Sequence, residues 1–483
     1  MQSKDLILFL LNDKVISLSD LESEGYTTSH ILLDFIRYNQ KLSGTKIGCR
    51  EGDCGACIVL IGRIDDKNNM SYQSIVSCLT PINSIIGSHV VTIEGLNLKD
   101  KLTLVQENLV NEGGTQCGAC TPGFIVSLTG LIVTNKLINE NSISLNLDGN
   151  ICRCTGYKSI EKAAKKILKL VDTTGLDLQR AVDIEVIPDY FLKIQTKLQK
   201  ILSQLEEIQT DKRVQSYNIG GGTDLFVQKP DFMVKQNLIS LSLQTELSYI
   251  KHEGDYIRIG GLTTFSDLMD SDILQEIFPT IINDFSLIAS TPIRNIATLG
   301  GNIVNASPIA DTVIYFLVLN PTITLKNGSS VREVYLIDFY LGYKQIDKSD
   351  EEIVTELSFN IPRNDYKFNF EKVSKRTYLD IASVNSALYM KINSAKQIEV
   401  CRISAGGVAP IPKYLVNSSN YLIEKSVSNQ TIRELLTIVD EEVSPISDIR
   451  GSAEYKRLLL RQLILAHFLT LFPDQLKLEE ILI

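Results

Sequence analysis

Residues 48–57 read G-C-R-E-G-D-C-G-A-C, and residues 74–80 read S-I-V-S-C-L-T. Together they set Cys49, Cys54, Cys57 and Cys78 in the spacing C-x4-C-x2-C-x20-C, the plant-type arrangement in which three thiolates wrap a [2Fe–2S] cluster and a distant fourth closes it. Gly48, Gly52 and Gly55 flank these cysteines, and a loop that aims several sulfurs and N–H groups inward needs that backbone freedom. A second set follows in Q-C-G-A-C-T-P-G and N-I-C-R-C-T-G-Y, giving Cys117, Cys120, Cys152 and Cys154, so eight of the nine cysteines fall into two groups of four. Disulfides are disfavoured, because nothing N-terminal reads as an export signal. Zinc stays open on ligand type alone, but structural zinc sites favour paired C-x2-4-C knuckles, and C-x1-C fits that poorly.

The 483 residues predict about three or four domains. With 44% hydrophobic and 22% charged residues, wholesale disorder is excluded. A net charge of −9 leaves no basic excess for nucleic acid. The apolar run 6–11 is too short for a signal-peptide core or a membrane span. The stretch 458–472 is interrupted by Arg461, Gln462 and His467 and reads as an amphipathic helix. The expectation is a cytoplasmic protein without membrane or nucleic-acid partners, in a compartment that keeps thiols reduced.

In chain order, 6–16 reads as a hairpin turning at Asn12-Asp13, and 27–38 as a helix with Thr27, Thr28 and Ser29 available as caps. Strands at 58–61 and 73–77 follow. Helices are expected at 104–112, 122–134 and 160–171, which places the second four cysteines at helix N-termini, where N–H groups favour negative charge. A linker at 172–188 and a helix at 190–208 lead to Y-N-I-G-G-G-T-D-L (217–225). A strand running into three glycines can cradle a pyrophosphate, although the motif lacks the G-x-G-x-x-G fingerprint. Residues 290–311, S-T-P-I-R-N-I-A-T-L-G-G-N-I-V-N-A-S-P-I-A-D, read as a loop folded over a polar ligand or as a long structured turn. Strands at 353–361, 368–373, 384–392 and 399–406, then helices at 431–441 and 453–472, predict an α+β lobe. Cys401 reads as a buried apolar residue, and His30, His89, His252 and His467 have no metal-ligand spacing.

These motifs, together with the late S-P-I-S-D-I-R-G-S-A-E-Y, resemble the iron–sulfur/FAD subunit of the xanthine dehydrogenase branch of the molybdenum hydroxylase family. The resemblance implies an α+β multidomain chain. It would comprise a β-grasp ferredoxin-like domain (1–90), a helical-bundle [2Fe–2S] domain (91–171), the linker, a vanillyl-alcohol-oxidase-type FAD-binding domain (189–362) and an α+β C-terminal flavoprotein domain (363–483). It implies that Ile219, Gly220, Gly221, Gly222, Thr223 and Leu225 line the diphosphate and adenosine of FAD. Ile288, Ala289, Ala297, Thr298, Gly301, Asn302, Ser307 and Asp311 would complete the site, with Lys372 near the flavin. Gln116 would reach toward the molybdenum cofactor, which the resemblance puts only in a partner large subunit, in a dimer of heterodimers. The implied activity is oxidoreductase electron relay: hypoxanthine or xanthine is oxidised in the partner, and electrons pass through two [2Fe–2S] clusters to FAD and NAD+. The alternative is the equivalent subunit of an enzyme oxidising an aldehyde or N-heterocycle. A zinc-stabilised scaffold is a third reading. Two departures stand out: T-G-Y-K-S where relatives usually have T-G-Y-R-P, and Leu379 where they often carry an acidic residue.

Overall fold

The apolar run Ile58, Val59, Leu60, Ile61 sends its side chains alternately to two faces of a sheet, and none is more than 3% exposed. A strand covered on both sides has no need of a polar alternate. The computed structural model describes residues 6–65, 67–134, 140–171, 176–206, 216–362 and 365–481. The chain divides into two compact units, Met1–Leu243 with Ser290–Ala297, and Gln244–Ala289 with Thr298–Ile483.

The sheet of the first unit contains β1 (Ile7–Leu11), β2 (Lys14–Ser17), β3 (Ile58–Ile64), β4 (Met70–Val76) and β5 (His89–Val91) in the order β2-β1-β5-β3-β4. β1 and β5 are parallel and the other pairs antiparallel, a β-grasp. Val59 and Ile61 pack with Phe9, Leu32, Phe35 and Ile36 on one face. Ile58 and Leu60 pack with Phe124 and Leu128 of the helix Thr121–Val133 on the other. That helix is buried at every position from Gly123 to Val133, and it is correspondingly apolar all round. Helices Leu104–Asn111, Glu140–Asn146 and Lys158–Leu170 complete the helical part, the last burying Ile160, Ala163, Ala164 and Ile167. A short parallel pair, β6 (Tyr217–Ile219) and β7 (Leu238–Ser240), also belongs to this unit.

Two expectations need correction here. The helix expected over 27–38 is only Leu32–Asp34 followed by a π-helical turn, Phe35–Asn39, and its N-cap Ile31 makes no side-chain cap. The hydroxyls upstream are committed elsewhere: Thr27 meets His30 Nδ1 at 3.0 Å, and Ser29 donates to the Gln236 carbonyl at 2.8 Å. The stretch 172–188 holds the helix Leu178–Asp183, capped by Asp177. Residues 172–175 lie outside the described residues, as do 207 and 208 of the helix expected over 190–208. The described part of that helix is a 3-10 turn, Asp189–Lys193, continuing into Ile194–Glu206.

Among the described residues the second unit has two larger antiparallel sheets and a two-stranded one. One contains β8 (Ile250–Glu253), β9 (Tyr256–Gly260), β10 (Thr322–Asn327), β11 (Ser330–Tyr335) and, after the small hairpin of β12 (Tyr340–Gly342) and β13 (Gln345–Ile346), β14 (Ile353–Asn360). Its order is β11-β10-β14-β9-β8. The other runs β15 (Tyr366–Val373), β16 (Val384–Ile392), β17 (Ile398–Gly406), β18 (Lys413–Tyr414) in sequence. Helices Asn429–Glu442 and Ala453–Leu471 cover it, packing Leu435, Val439, Leu460, Ile464 and Phe468 on Val384, Leu388 and Ile403. Cys401 is buried in β17, as expected. Residues 290–311 are not a loop: they contain the helices Thr291–Arg294 and Leu299–Asn305, and Asp311–Leu317 starts at their end. Leu299 and Ile303, one helical turn apart, are both buried, so the interleaved apolar residues are a helix face. Among the described residues no helix is long and apolar enough to cross a membrane.

Candidate functional site

The first cysteine loop hangs between the helical turn ending at Asn39 and β3. Pairing of Ile58 with Val76 brings Cys57 beside Ser77, whose hydroxyl donates to the Cys57 carbonyl at 2.7 Å. This delivers Cys78 to Cys57, and the two thiols are hydrogen-bonded and buried. Cys49 and Cys54 form the other pair. The Cys49 N–H donates to Cys54 Sγ at 3.3 Å, and the N–H groups of Glu51 and Asp53 each donate to Cys49 Sγ at 3.3 Å. The Cys54 hydrogen bond, aided by these N–H groups and opposed by burial, pushes the Cys49 thiol down to about 5. Hydrogen bonding to Cys49, then burial, push Cys54 up. Gly52 and Gly55 take φ of +81° and +70°, and a Cβ on Gly48 would stand 2.4 Å from Cys54 Sγ.

The second set is carried by two helix starts. Cys120 is the N-cap of Thr121–Val133, and Cys152 and Cys154 precede the N-cap Tyr157 of Lys158–Leu170. Side-chain hydrogen bonds pair Cys117 with Cys154 and Cys120 with Cys152, each pair joining the two segments. Cys152 Sγ lies 3.1 Å from Thr155 Oγ1, and its N–H donates to the Tyr157 hydroxyl at 3.2 Å. Burial raises the Cys152 thiol, but the Thr155 and Cys120 hydrogen bonds outweigh it and the net direction is down. Burial, with Cys152, raises Cys120 to about 12. Gln116, Cys117 and Cys154 are exposed. Among the described residues, no three His, Cys, Asp or Glu side chains form a group placed to hold a metal ion.

The two loops touch through backbone. The Ile151 N–H donates to the Cys54 carbonyl at 3.1 Å. A Cβ on Gly55 would lie 2.4 Å from the Gly149 carbonyl, and one on Gly123 would lie 2.2 Å from the Gly55 carbonyl. Glycine is what allows this approach.

β6 ends at the buried Ile219 and opens into Gly220, Gly221 and Gly222. A Cβ on Gly221 would meet the Ile296 carbonyl at 1.8 Å, and Gly222 has φ +72°. Thr223 is half-buried, Ala297 buried, and Leu225 exposed at the start of the short helix Leu225–Gln228.

The second unit holds the other candidates. Thr298 caps Leu299–Asn305, its Oγ1 accepting the Gly301 N–H at 3.2 Å. Asn302 Oδ1 is buried without a hydrogen-bond partner, and Ser307 is half-buried. Ile288 is buried, and Ala289 takes φ +53°. Lys372 is enclosed, its Nζ donating to the Leu287 carbonyl at 2.6 Å, Asp311 Oδ2 at 2.9 Å and the Asp380 carbonyl at 2.9 Å. Asn385 Nδ2 donates to the other Asp311 oxygen at 2.5 Å. Lys372 and Asp311, expected separately, are thus one ion pair. Asn385, Leu287 and Asp380 escaped the sequence reading, for they lie on separate elements with no motif to tie them. Leu379 is buried at φ +50°, and its N–H donates to the Ala289 carbonyl at 3.2 Å.

Four family models match in chain order. They are a 2Fe-2S iron-sulfur cluster binding domain (20–83), a [2Fe-2S] binding domain (92–165), the FAD binding domain in molybdopterin dehydrogenase (194–363) and the CO dehydrogenase flavoprotein C-terminal domain (370–471). The chain carries the iron–sulfur and flavin domains of the molybdenum hydroxylase family. Each cysteine set falls within its own iron–sulfur match, and Ile219 to Asp311 fall within the flavin match. The chain is 28% identical to xanthine dehydrogenase 1 of Arabidopsis thaliana over 91% of its length, and 26% identical to xanthine dehydrogenase of Drosophila subobscura over 97%. It spans only 38% and 39% of those two proteins. Its fold resembles a chain of carbon monoxide dehydrogenase from Hydrogenophaga pseudoflava, with TM-score 0.51 and 24% identity over 57% of this chain and 94% of that one.

Proposed function

We propose that this chain is the electron-transfer part of a xanthine dehydrogenase, working with a molybdenum-bearing partner in the cytoplasm. The observation that carries the proposal is the backbone contact between the two cysteine loops, the Ile151 N–H on the Cys54 carbonyl at 3.1 Å. It ties one thiol set to the other by a single hydrogen bond. In this reading Cys49, Cys54, Cys57 and Cys78 hold one [2Fe–2S] cluster, and Cys117, Cys120, Cys152 and Cys154 hold the second. The fit rests on the donor chemistry: four thiols per set, N–H groups aimed at sulfur, and glycines where a Cβ would collide. When bound, the clusters supply one-electron transfer and FAD turns single electrons into a hydride for NAD+.

Gly220, Gly221, Gly222 and Thr223 offer backbone N–H groups to the flavin diphosphate. Asn302 Oδ1 is buried and unpartnered, an acceptor still open to a polar ligand. Lys372 holds Asp311 in place, and Gln116, exposed beside Cys117, faces the partner's cofactor. The relatives named xanthine dehydrogenase support hypoxanthine and xanthine as the partner's substrates.

The test is to purify the native complex and supply xanthine or hypoxanthine with NAD+. NADH formation that needs both the molybdenum-bearing partner and this chain is the expected result. A complex that carries iron and FAD but ignores purines, while oxidising an aldehyde or another heterocycle, would overturn the substrate. Zinc in place of iron would overturn the relay itself.

A further inference from the structure

The residues Ser290–Ala297 pack within the first unit, although their neighbours on both sides in the chain belong to the second. Three glycines make room for this strap. A Cβ on Gly52 would lie 2.6 Å from Ile293 Cδ1, one on Gly149 2.9 Å from Pro292 Cγ, and one on Gly221 1.8 Å from the Ile296 carbonyl. Gly52 belongs to the first cysteine loop, Gly149 precedes Cys152 by one short turn, and Gly221 is the middle of the triple glycine. The strap therefore lies against all three segments to which the proposed function gives a cofactor.

A buried ion pair helps hold it down. Arg294 Nη2 stands 2.6 Å from Asp148 Oδ2, with the two side chains 1% and 0% exposed. The other Asp148 oxygen accepts the Thr291 N–H at 2.8 Å. The Thr291 hydroxyl donates to the Leu145 carbonyl at 2.6 Å and accepts from Arg294 at 2.7 Å. Asn295 Nδ2 donates to the Ser74 carbonyl in β4 at 2.8 Å. Withdrawing two charges from water is costly, and an apolar pair of similar volume would hold two segments together at least as well. What a guanidinium fork on a carboxylate adds is one fixed geometry.

We infer that Arg294 is a positioning residue: through Asp148 it fixes the backbone leading to Cys152, and through Ile296 it fixes the triple-glycine loop. The second thiol set and the diphosphate loop are thereby held to one rigid strap. This rests on the cofactor assignments of the proposed function.

The experiment uses the full chain loaded with iron and FAD, as the parent and as Arg294→Lys, Arg294→Met and Asp148→Asn. Two quantities are read at a temperature where circular dichroism is parent-like. They are the FAD dissociation constant, by fluorescence on dilution, and the electron paramagnetic resonance spectrum after dithionite reduction. Arg294→Met is expected to weaken FAD by about tenfold or more. It should also broaden the one iron–sulfur signal that a Cys117→Ser variant loses, leaving the other unchanged, with Arg294→Lys in between. A merely structural role would lower the unfolding midpoint and move neither readout, and that result overturns the inference. Should Arg294→Met fail to fold, Arg294→Lys and Asp148→Asn decide the matter through the same two readouts. A parent chain that takes up neither iron nor FAD overturns the relay and the strap together. Normal loading beside unchanged variants overturns the strap alone.

Discussion

A Cβ at Gly221 has nowhere to go, since the atom 1.8 Å away is a backbone oxygen. Gly221→Ala is expected to purify with its iron but to lose most of its FAD, which the flavin-to-iron ratio of the isolated protein measures. Asp284 gives a second prediction at this scale. Burial, opposed by the Thr280 hydrogen bond and assisted by Glu371, raises its carboxyl to about 7. A carboxyl that keeps its proton longer in the folded chain than in the unfolded one contributes full stability below its unfolded value, near 4. That contribution is lost as pH climbs to about 7, because the unfolded state ionises first. The side chain is only 8% exposed, so up to about 4 kcal/mol is at stake. Asp284→Asn should flatten the fall in urea stability between pH 4 and 7; a variant that keeps the parent's slope would show that Asp284 does not cause it.

At the scale of elements, the helix Thr121–Val133 sits as close as it does because Gly123 and Gly130 lack side chains. Gly123→Ala must push the helix start off the Gly55 carbonyl, at a cost of about 1–3 kcal/mol. The Ile151 amide should then exchange with deuterium faster than in the parent, and an unchanged rate would mean that the two loops do not depend on that approach. Several elements were legible beforehand for simple reasons. Asn12-Asp13 marks the hairpin turn, the uninterrupted run Ile58 to Ile61 marks a strand covered on both faces, and the cysteine spacing announces itself. The region 290–311 was not legible, because Gly and Asn crowd around Leu299 and Ile303 and hide one turn of helical period. The start of the helix at 27–38 was misplaced because Thr27 and Ser29 spend their hydroxyls on His30 and Gln236. Arg294 and Asp148 stand 146 positions apart, and nothing local in either segment names the other.

At the scale of the molecule, the chain passes between its two units at 243/244, at 289/290 and at 297/298. No single break can therefore part them. If a protease site is placed between Leu243 and Gln244 and cut in the folded protein, the C-terminal fragment keeps Ser290–Ala297 with its buried Arg294. The two fragments are expected to elute together on gel filtration, and separate peaks under native conditions would contradict the way the strap is held. The same connectivity sets an order on the ribosome. When residue 243 has been made, Asp148 still has no counter-ion and the glycine hollows at 52, 149 and 221 are unfilled. The 46 residues of Gln244–Ala289 must pass before the strap is even synthesised, a delay of several seconds at roughly 5–20 residues per second. During that interval the N-terminal unit waits half-closed, and this is the stage of its life at which a chaperone has most to hold.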